Sequence, residues 1–438
     1  MQVSVVGTGY LGATHAACLA SLGHDVVGVD SDPARVADLS AGRLPFHEPG
    51  LDAMLRHGLA TGQLRFSTDL DAAAPAEVHF ICVGTPQRPG GHDADLSYVW
   101  DVIDTLGPRL TRPCLVVGKS TVPVGTAATI AERLRETAPA GVGVEVAWNP
   151  EFLREGHAVD DSLTPDRLVF GVQSDQADQT LRELYAPLVA RGIPVVRTDL
   201  ATAELAKASA NVMLATRVSL MNLLAEVCEA AQADVGDLIT ILGHDARIGR
   251  LFLRPGIGYG GGCLPKDTRA FIARARELGV VESAALLGEV DALNMRQRAR
   301  TVDLALALLD RPAREATVAV LGAAFKAGSD DVRDSPALDI AVTLHLQGVQ
   351  VRVYDPAALE SARRVRPELT YVTTLQDACR DADLTLVLTE WEEFAGMDPV
   401  SLVDIVRRPT VVDGRLVLDA DKWRAAGWHF CALGRSPR

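Results

Sequence analysis

The chain has 438 residues, 48% hydrophobic and 23% charged, the make-up of a folded protein too long for one ordinary core. A formal net charge of −14 argues against a nucleic-acid or anionic-membrane partner and still permits local basic pockets for phosphates. Seven scattered cysteines with no CxxC pair argue against structural zinc and for free thiols in a cytoplasmic protein. The opening MQVSVVGTGYLG has no basic leader region, so no signal peptide is expected, and no apolar run reaches the roughly 18 residues of a membrane span.

In chain order, QVSVVG (2–7) predicts a buried strand, GTGYLG a turn and ATHAACLASLG an apolar helix; HDVVGVD predicts a second strand ending at Asp30. Gly7, Gly9 and Gly12 therefore stand in GxGxxG spacing between strand and helix, with an acidic residue closing the next strand. Gly7 permits the tight turn, Gly9 lets a pyrophosphate approach the backbone, and Gly12 allows close helix packing; Tyr10 lies inside the same candidate cofactor site. Asp30 can bond ribose hydroxyls and would repel a 2′-phosphate, which favours NAD over NADP, although Arg35 leaves the second open. EVHFICVGTP (77–86) and CLVVGKSTVP (114–123) are further strand runs, and the alternation predicts a parallel sheet covered on both faces, ending near residue 198.

From 199 to 300 the texture turns helical. LATAELAKASANVMLATRVSLMNLLAEVCEAAQA has no Gly or Pro and predicts one long helix or two joined ones, whose apolar positions exceed one face and suit a dimer seam. Strand–helix alternation restarts near 316 with ATVAVLGAAF, a helix from about 336, VQVRVYDP, DADLTLVLTEW and PTVVDG, so residues 301–438 read as a second, Rossmann-like domain without a complete GxGxxG. The fold class is thus α/β: an N-terminal Rossmann domain (1–198), a central long-helix dimerisation region (199–300) and a C-terminal Rossmann-like domain (301–438).

The segment RPGIGYGGGCLPKD (254–267) carries five glycines in the seven residues before Cys263. Glycine is entropically costly, and here its lack of side chains leaves room for a ligand beside the thiol. Pro265 suits the first turn of a helix KDTRAFIARARELG; a thiol at that N-terminus beside Lys266 has a stabilised thiolate, and Asp267 falls near it as an acid/base. A nicotinamide enzyme with a nucleophilic cysteine can take an alcohol to an aldehyde, trap it as a thiohemiacetal, oxidise that to a thioester and hydrolyse it, a four-electron oxidation with two NAD. The other cysteines read as buried apolar residues (18, 82, 114, 228) or have no evident role (379, 431).

Together GTGYLG, LPFHEPGL, VGTP, STVPVGT, NPEFLREG, KASAN, GIGYGGGCLPKD, LGAAFKAGSDDVRDSP and VYDP resemble, in order and over essentially the whole chain, the UDP-glucose/GDP-mannose dehydrogenase family. The resemblance implies an N-terminal NAD domain, a central dimer-forming region and a C-terminal domain for the nucleotide sugar, with no metal. It makes Cys263 the covalent nucleophile and Asp267 an acid/base working through water. Lys207 and Asn211, i and i+4 on one helix face, become oxyanion stabilisers. Thr121 and Glu151 hold or activate water. Glu155, Leu11, Thr85, Thr121, Lys266 and Arg333 become cofactor contacts. Glu151, Phe152, Leu153, Arg154 and Glu155 become substrate contacts, with Lys207 and Asn211. So do Phe252, Leu253, Arg254, Pro255, Gly256, Gly260 and Lys326; Arg247 would reach the partner subunit's sugar, and Arg415 a further substrate group. Many relatives carry Ser at position 262 and Phe at 264, and FKAGSDD fits both branches of the family, so hexose and base stay open: UDP-glucose leads, with GDP-mannose, dTDP-glucose and UDP-galactose behind. A two-electron hydroxyacid dehydrogenase and a non-catalytic NAD-binding protein are the remoter readings.

Overall fold

The structure, a computed structural model, describes residues 1–435 and divides into two compact units, Met1–Ala210 and Asn211 onward. In the first unit an eight-stranded sheet runs β3-β2-β1-β4-β5-β6-β7-β8. Its strands are β1 (Gln2–Val6), β2 (Asp25–Val29), β3 (Leu64–Ser67), β4 (Val78–Ile81), β5 (Cys114–Gly118), β6 (Val144–Trp148), β7 (Leu168–Gly171) and β8 (Val195–Thr198). All neighbours are parallel except β6 and β7, which meet antiparallel at Trp148 and Gly171. The inner strands are buried on both faces because helices cover both: Val3, Val5, Val78, Phe80 and Val117 pack with Ala13, Ala16 and Leu19 of the helix Tyr10–Ser21, and Val6, Ile81 and Val116 pack with Val99, Ile103 and Ile130.

The second unit holds a six-stranded, wholly parallel sheet, β11-β10-β9-β12-β13-β14. Its strands are β9 (Thr317–Leu321), β10 (Gln350–Tyr354), β11 (Thr370–Tyr371), β12 (Leu384–Val387), β13 (Thr410–Asp413) and β14 (His429–Ala432). The switch from β9 leftward to β12 rightward is the doubly wound pattern expected of this stretch. Here the acidic residue closing the second strand, Asp355, is sealed. Its carboxylate accepts from the amides of Ala323 (2.8 Å), Ala324 (3.0 Å), Ala357 (2.9 Å) and Ala358 (2.8 Å) and from the Trp391 indole (3.2 Å).

The predicted long helix is one element, Leu200–Ala230. In the second unit its later turns are tied to the helix Val281–Leu308 by Gln297 to Glu226 (2.6 Å), by an Arg300–Glu229 ion pair and by Ser219 to the Val290 carbonyl (3.0 Å). The helix Leu264–Glu277 packs on the same pair through Ile272, Ala284 and Leu287, with Val212 against them. Among the described residues no helix is long and apolar enough to cross a membrane.

Candidate active site

In the first unit the turn after β1 has the shape that its glycines require. Gly7 has φ +90°, and a Cβ on Gly12 would lie 1.8 Å from the Gly7 carbonyl oxygen, so neither position admits a side chain. A Cβ on Gly9 would meet nothing within 4 Å: this glycine faces open space at the N-terminus of the helix Tyr10–Ser21, where no side chain caps the free amides. Asp30 is buried and accepts from Thr8 N (2.7 Å), Thr8 Oγ1 (3.1 Å), Asp32 N (3.0 Å) and Arg35 Nη1 (2.9 Å). Burial raises its pKa, but these donors outweigh burial and hold it below the usual carboxylate value.

Below this turn the carbonyl ends of β4, β5 and β6 gather a second group. Thr85 Oγ1 donates to the Thr121 carbonyl (2.7 Å), joining the VGTP and STVP loops. Lys207 and Glu151 form an ion pair of 2.8 Å with only 7% and 12% of the side chains exposed, and Glu151 also accepts from Leu153 N (2.6 Å). Phe152 lies beside this pair, with Lys207 Nζ 5.9 Å and the Arg167 guanidinium 3.7 Å from its ring centre. Arg154 is turned to Asp161 (2.6 Å) and is largely exposed.

Three buried groups that the sequence reading did not single out support these loops. Glu48, within HEPGL, bonds the Tyr10 hydroxyl and accepts from the amides of Gly156 (2.7 Å) and Ala158 (2.7 Å), pinning the segment after Glu155 against the glycine turn. The Tyr10 phenol is pushed far above its normal range, first by burial and then by this carboxylate. Glu204 accepts from Gly125 N (2.7 Å) and Ala127 N (2.6 Å), capping the helix Thr126–Thr137 that follows STVPVG. Lys119 is buried and donates to Asn149 Oδ1 (2.9 Å), which also takes the Tyr185 hydroxyl (2.7 Å), while Asn149 Nδ2 reaches the Val169 carbonyl (3.0 Å). Burial lowers the Lys119 pKa to about 8, and Glu151 works against that fall. A carboxylate inside LPFHEPGL, a segment quoted only for the family resemblance, was the one available signal for Glu48; for the others the partners are distant in sequence.

In the second unit Cys263 is the exposed N-cap of the helix Leu264–Glu277, with Pro265 in its first turn, as expected. Asp267 N donates to the Cys263 carbonyl (2.9 Å), so the carboxylate stands one turn into the helix. It is 3% exposed and accepts from Asn211 Nδ2 (2.6 Å) and Lys266 Nζ (2.5 Å). The glycines before the thiol differ from the sequence expectation of free space. Cβ atoms would lie 2.8 Å from the Gly414 oxygen at Gly256, 2.7 Å from Asn294 Oδ1 at Gly258, 2.2 Å from the Asp334 oxygen at Gly260 and 2.7 Å from the Phe325 ring at Gly261. These glycines let neighbouring backbone and side chains close in on the loop. At Gly262 the neighbour is the Arg333 guanidinium, which can swing aside.

The remaining expected residues of this unit are spread more widely. Phe252 has φ +57° and is partly exposed, Arg254 is exposed, and Leu253, Pro255 and Gly256 are buried. Arg415 donates to the carbonyls of Leu388 (2.9 Å), Gly258 (3.2 Å) and Phe325 (3.2 Å), so it organises three loops. Arg333 pairs with Asp331 (2.5 Å), Lys326 lies over Phe325, and Arg247 pairs with Asp245 (2.6 Å) with 89% of its side chain exposed.

Three models of one family match in chain order: the NAD binding domain over residues 1–189, the central domain over 201–296 and the UDP binding domain over 319–420. The chain belongs to the UDP-glucose/GDP-mannose dehydrogenase family. A UDP-glucose 6-dehydrogenase of Haloferax volcanii is 43% identical to this dehydrogenase, over 95% of this chain and 97% of the relative. One from Rhizobium meliloti is 38% identical over 99% and 100%. Among solved structures, a UDP-glucose dehydrogenase from Pyrobaculum islandicum superposes with a TM-score of 0.90 at 36% identity, covering 99% of this chain and 98% of that one. The cofactor of this dehydrogenase is NAD, and the residues fit it: Gly9 leaves open space beside the turn, the helix N-terminus carries uncapped amides, and Asp30, its pKa held low, follows the second strand.

Proposed function

We propose that this dehydrogenase oxidises UDP-glucose at C6 to UDP-glucuronate with two NAD and one water, through a covalent bond to Cys263. The observation that carries the proposal is Cys263 at a helix N-terminus with Asp267 one turn in, on a chain whose relatives are named for UDP-glucose. NAD supplies the hydride acceptor for each of the two oxidations. In the first, the C6 hydroxyl loses a proton to a base and C6 loses a hydride, giving the aldehyde. The Cys263 sulfur then adds to C6 and the aldehyde oxygen takes a proton, giving a thiohemiacetal. Loss of the second hydride and that proton leaves a thioester, which water cleaves to the carboxylate and the free thiol. Lys207 and Asn211 are assigned the developing oxyanion. Asp267 and Glu151 are assigned proton movement to and from water, and Thr121 helps to hold that water. Lys326, Arg415 and the segment Phe252–Gly256 with Gly260 are assigned the nucleotide sugar; Arg333, Lys266, Leu11, Thr85 and Glu155 are assigned the cofactor.

Two molecules of NADH per UDP-glucose consumed is the expected stoichiometry, and one would overturn the proposal. Cys263→Ser should lower the overall oxidation by roughly 10³-fold or more, because an oxygen adduct forms and resolves poorly; turnover at the normal rate would remove the covalent role. Running GDP-mannose, dTDP-glucose and UDP-galactose in the same assay ranks the rival substrates. We further propose a cytoplasmic homodimer or larger homo-oligomer. The exposed apolar side chains of Met213, Leu220, Leu223 and Val227 along one helix support it, and Arg247 is then available to a second copy. Sedimentation at micromolar concentration tests the assembly.

A further inference from the structure

The loop before Cys263 has few side chains with which to hold itself, and its glycines carry the largest entropy of ordering. What holds it is one face of the helix Val281–Leu308. Asn294 is 0% exposed, and its Oδ1 accepts from Tyr259 N (2.7 Å) while its Nδ2 donates to Tyr259 O (3.0 Å). One side-chain amide thus satisfies both backbone groups of one loop residue, as a neighbouring strand would. One turn along, the buried Arg298 donates from Nη2 to Tyr259 O (3.2 Å) and Asp334 O (3.3 Å) and from Nη1 to Asp334 Oδ1 (2.8 Å), and it pairs with Asp339. Asp334 sits at φ +47°, a backbone state that its side chain tolerates only when held. Its neighbour's carbonyl, Arg333 O, accepts from Gly261 N (2.9 Å), closing the circuit two residues from the thiol.

We propose that Asn294 and Arg298 are positioning residues for Cys263: the helix Val281–Leu308 fixes the backbones of Tyr259 and Asp334, and through them the glycine loop that delivers the sulfur to its helix N-terminus. This rests on the reading of Cys263 as the nucleophile. Neither residue is among those assigned to substrate or cofactor, and their loss should act on the chemical step more than on binding, since a small misplacement of a reacting atom is costly in rate. A residue that served only the stability of the unit would move none of the loop-specific readouts below.

The test uses the full chain carrying Asn294→Ala or Arg298→Lys, the second retaining charge and length but not the planar fork. Hydrogen exchange at the amides of Tyr259 and Gly261 should quicken about tenfold while exchange in the sheet β9–β14 stays unchanged. With UDP-glucose and NAD, kcat should fall roughly tenfold or more, with both KM values within about threefold. The rate of Cys263 alkylation by iodoacetamide, followed by peptide mass, should change with it. Unchanged loop exchange with kcat within about twofold overturns the proposal, and so does exchange that quickens everywhere at once. If Asn294→Ala does not fold, Arg298→Lys decides by the same thresholds; if neither folds, the pair serves the fold and the proposal is lost. Should Cys263→Ala turn over normally, the nucleophile reading fails, whereas loop exchange in the Asn294 and Arg298 variants still reports whether the clamp exists.

Discussion

Lys207 and Glu151 share one buried ion pair, and removing Lys207 takes that partner from the buried Glu151 carboxylate. Lys207→Ala should therefore do two separable things. It should destabilise the first unit by about 3 kcal/mol, because an unpaired carboxylate stays buried, and lower kcat by roughly 10²-fold if Lys207 steadies an oxyanion. Adding Glu151→Gln removes the stranded charge, so the double variant should recover most of the melting temperature and none of the turnover. A fall confined to KM would make Lys207 a binding group only.

Among the connecting elements, the glycine loop separates positions that look alike in sequence. Gly260→Ala drives a Cβ to within 2.2 Å of the Asp334 carbonyl oxygen, a backbone atom held by Arg298, and should cost about 2–3 kcal/mol in chemical denaturation. Gly262→Ser meets only the tip of Arg333 and should stay within about 0.5 kcal/mol of the parent chain. GTGYLG with Asp30, the long helical stretch from residue 200, the second sheet and the Cys263 N-cap were legible in the sequence, because each is written in consecutive residues with a local period or turn chemistry; that the stretch is one helix rather than two was not. Asn294, Arg298, Glu204, Lys119 and Glu48 were not. Each acts on a partner 30 or more positions away, and a buried Asn or Arg on a helix has no local signature that tells a clamp from an ordinary polar contact. The occupied space around Gly258, Gly260 and Gly261 was hidden for the same reason: glycine marks a close approach without naming what approaches.

For the molecule as a whole, stability should fall in mild acid. His79 on β4 is 0% exposed, bonds Ser4 Oγ through Nδ1 (2.8 Å), and is kept neutral by burial, its pKa lowered to about 4 from 6.5. Since the folded state has the lower pKa, its contribution is complete above about pH 6.5 and drains away as the pH falls towards 4, by on the order of 3 kcal/mol. His15 and His24, likewise lowered first by burial, act in the same direction. Denaturant titrations from neutral pH down to about 4.5 should show this loss in the parent and a shallower one in His79→Gln; equal slopes would assign the acid loss to other groups.

The two sheets repeat one plan, yet only one is furnished for a dinucleotide. After β9, alanine stands at 324 where the first sheet has Gly9, and no helix begins before Pro336, so no helix N-terminus meets the turn as that of Tyr10–Ser21 does. Equilibrium dialysis should accordingly saturate at a single equivalent of coenzyme per polypeptide, and both hydrides must be carried off from the same berth, with the spent carrier leaving before its replacement can dock.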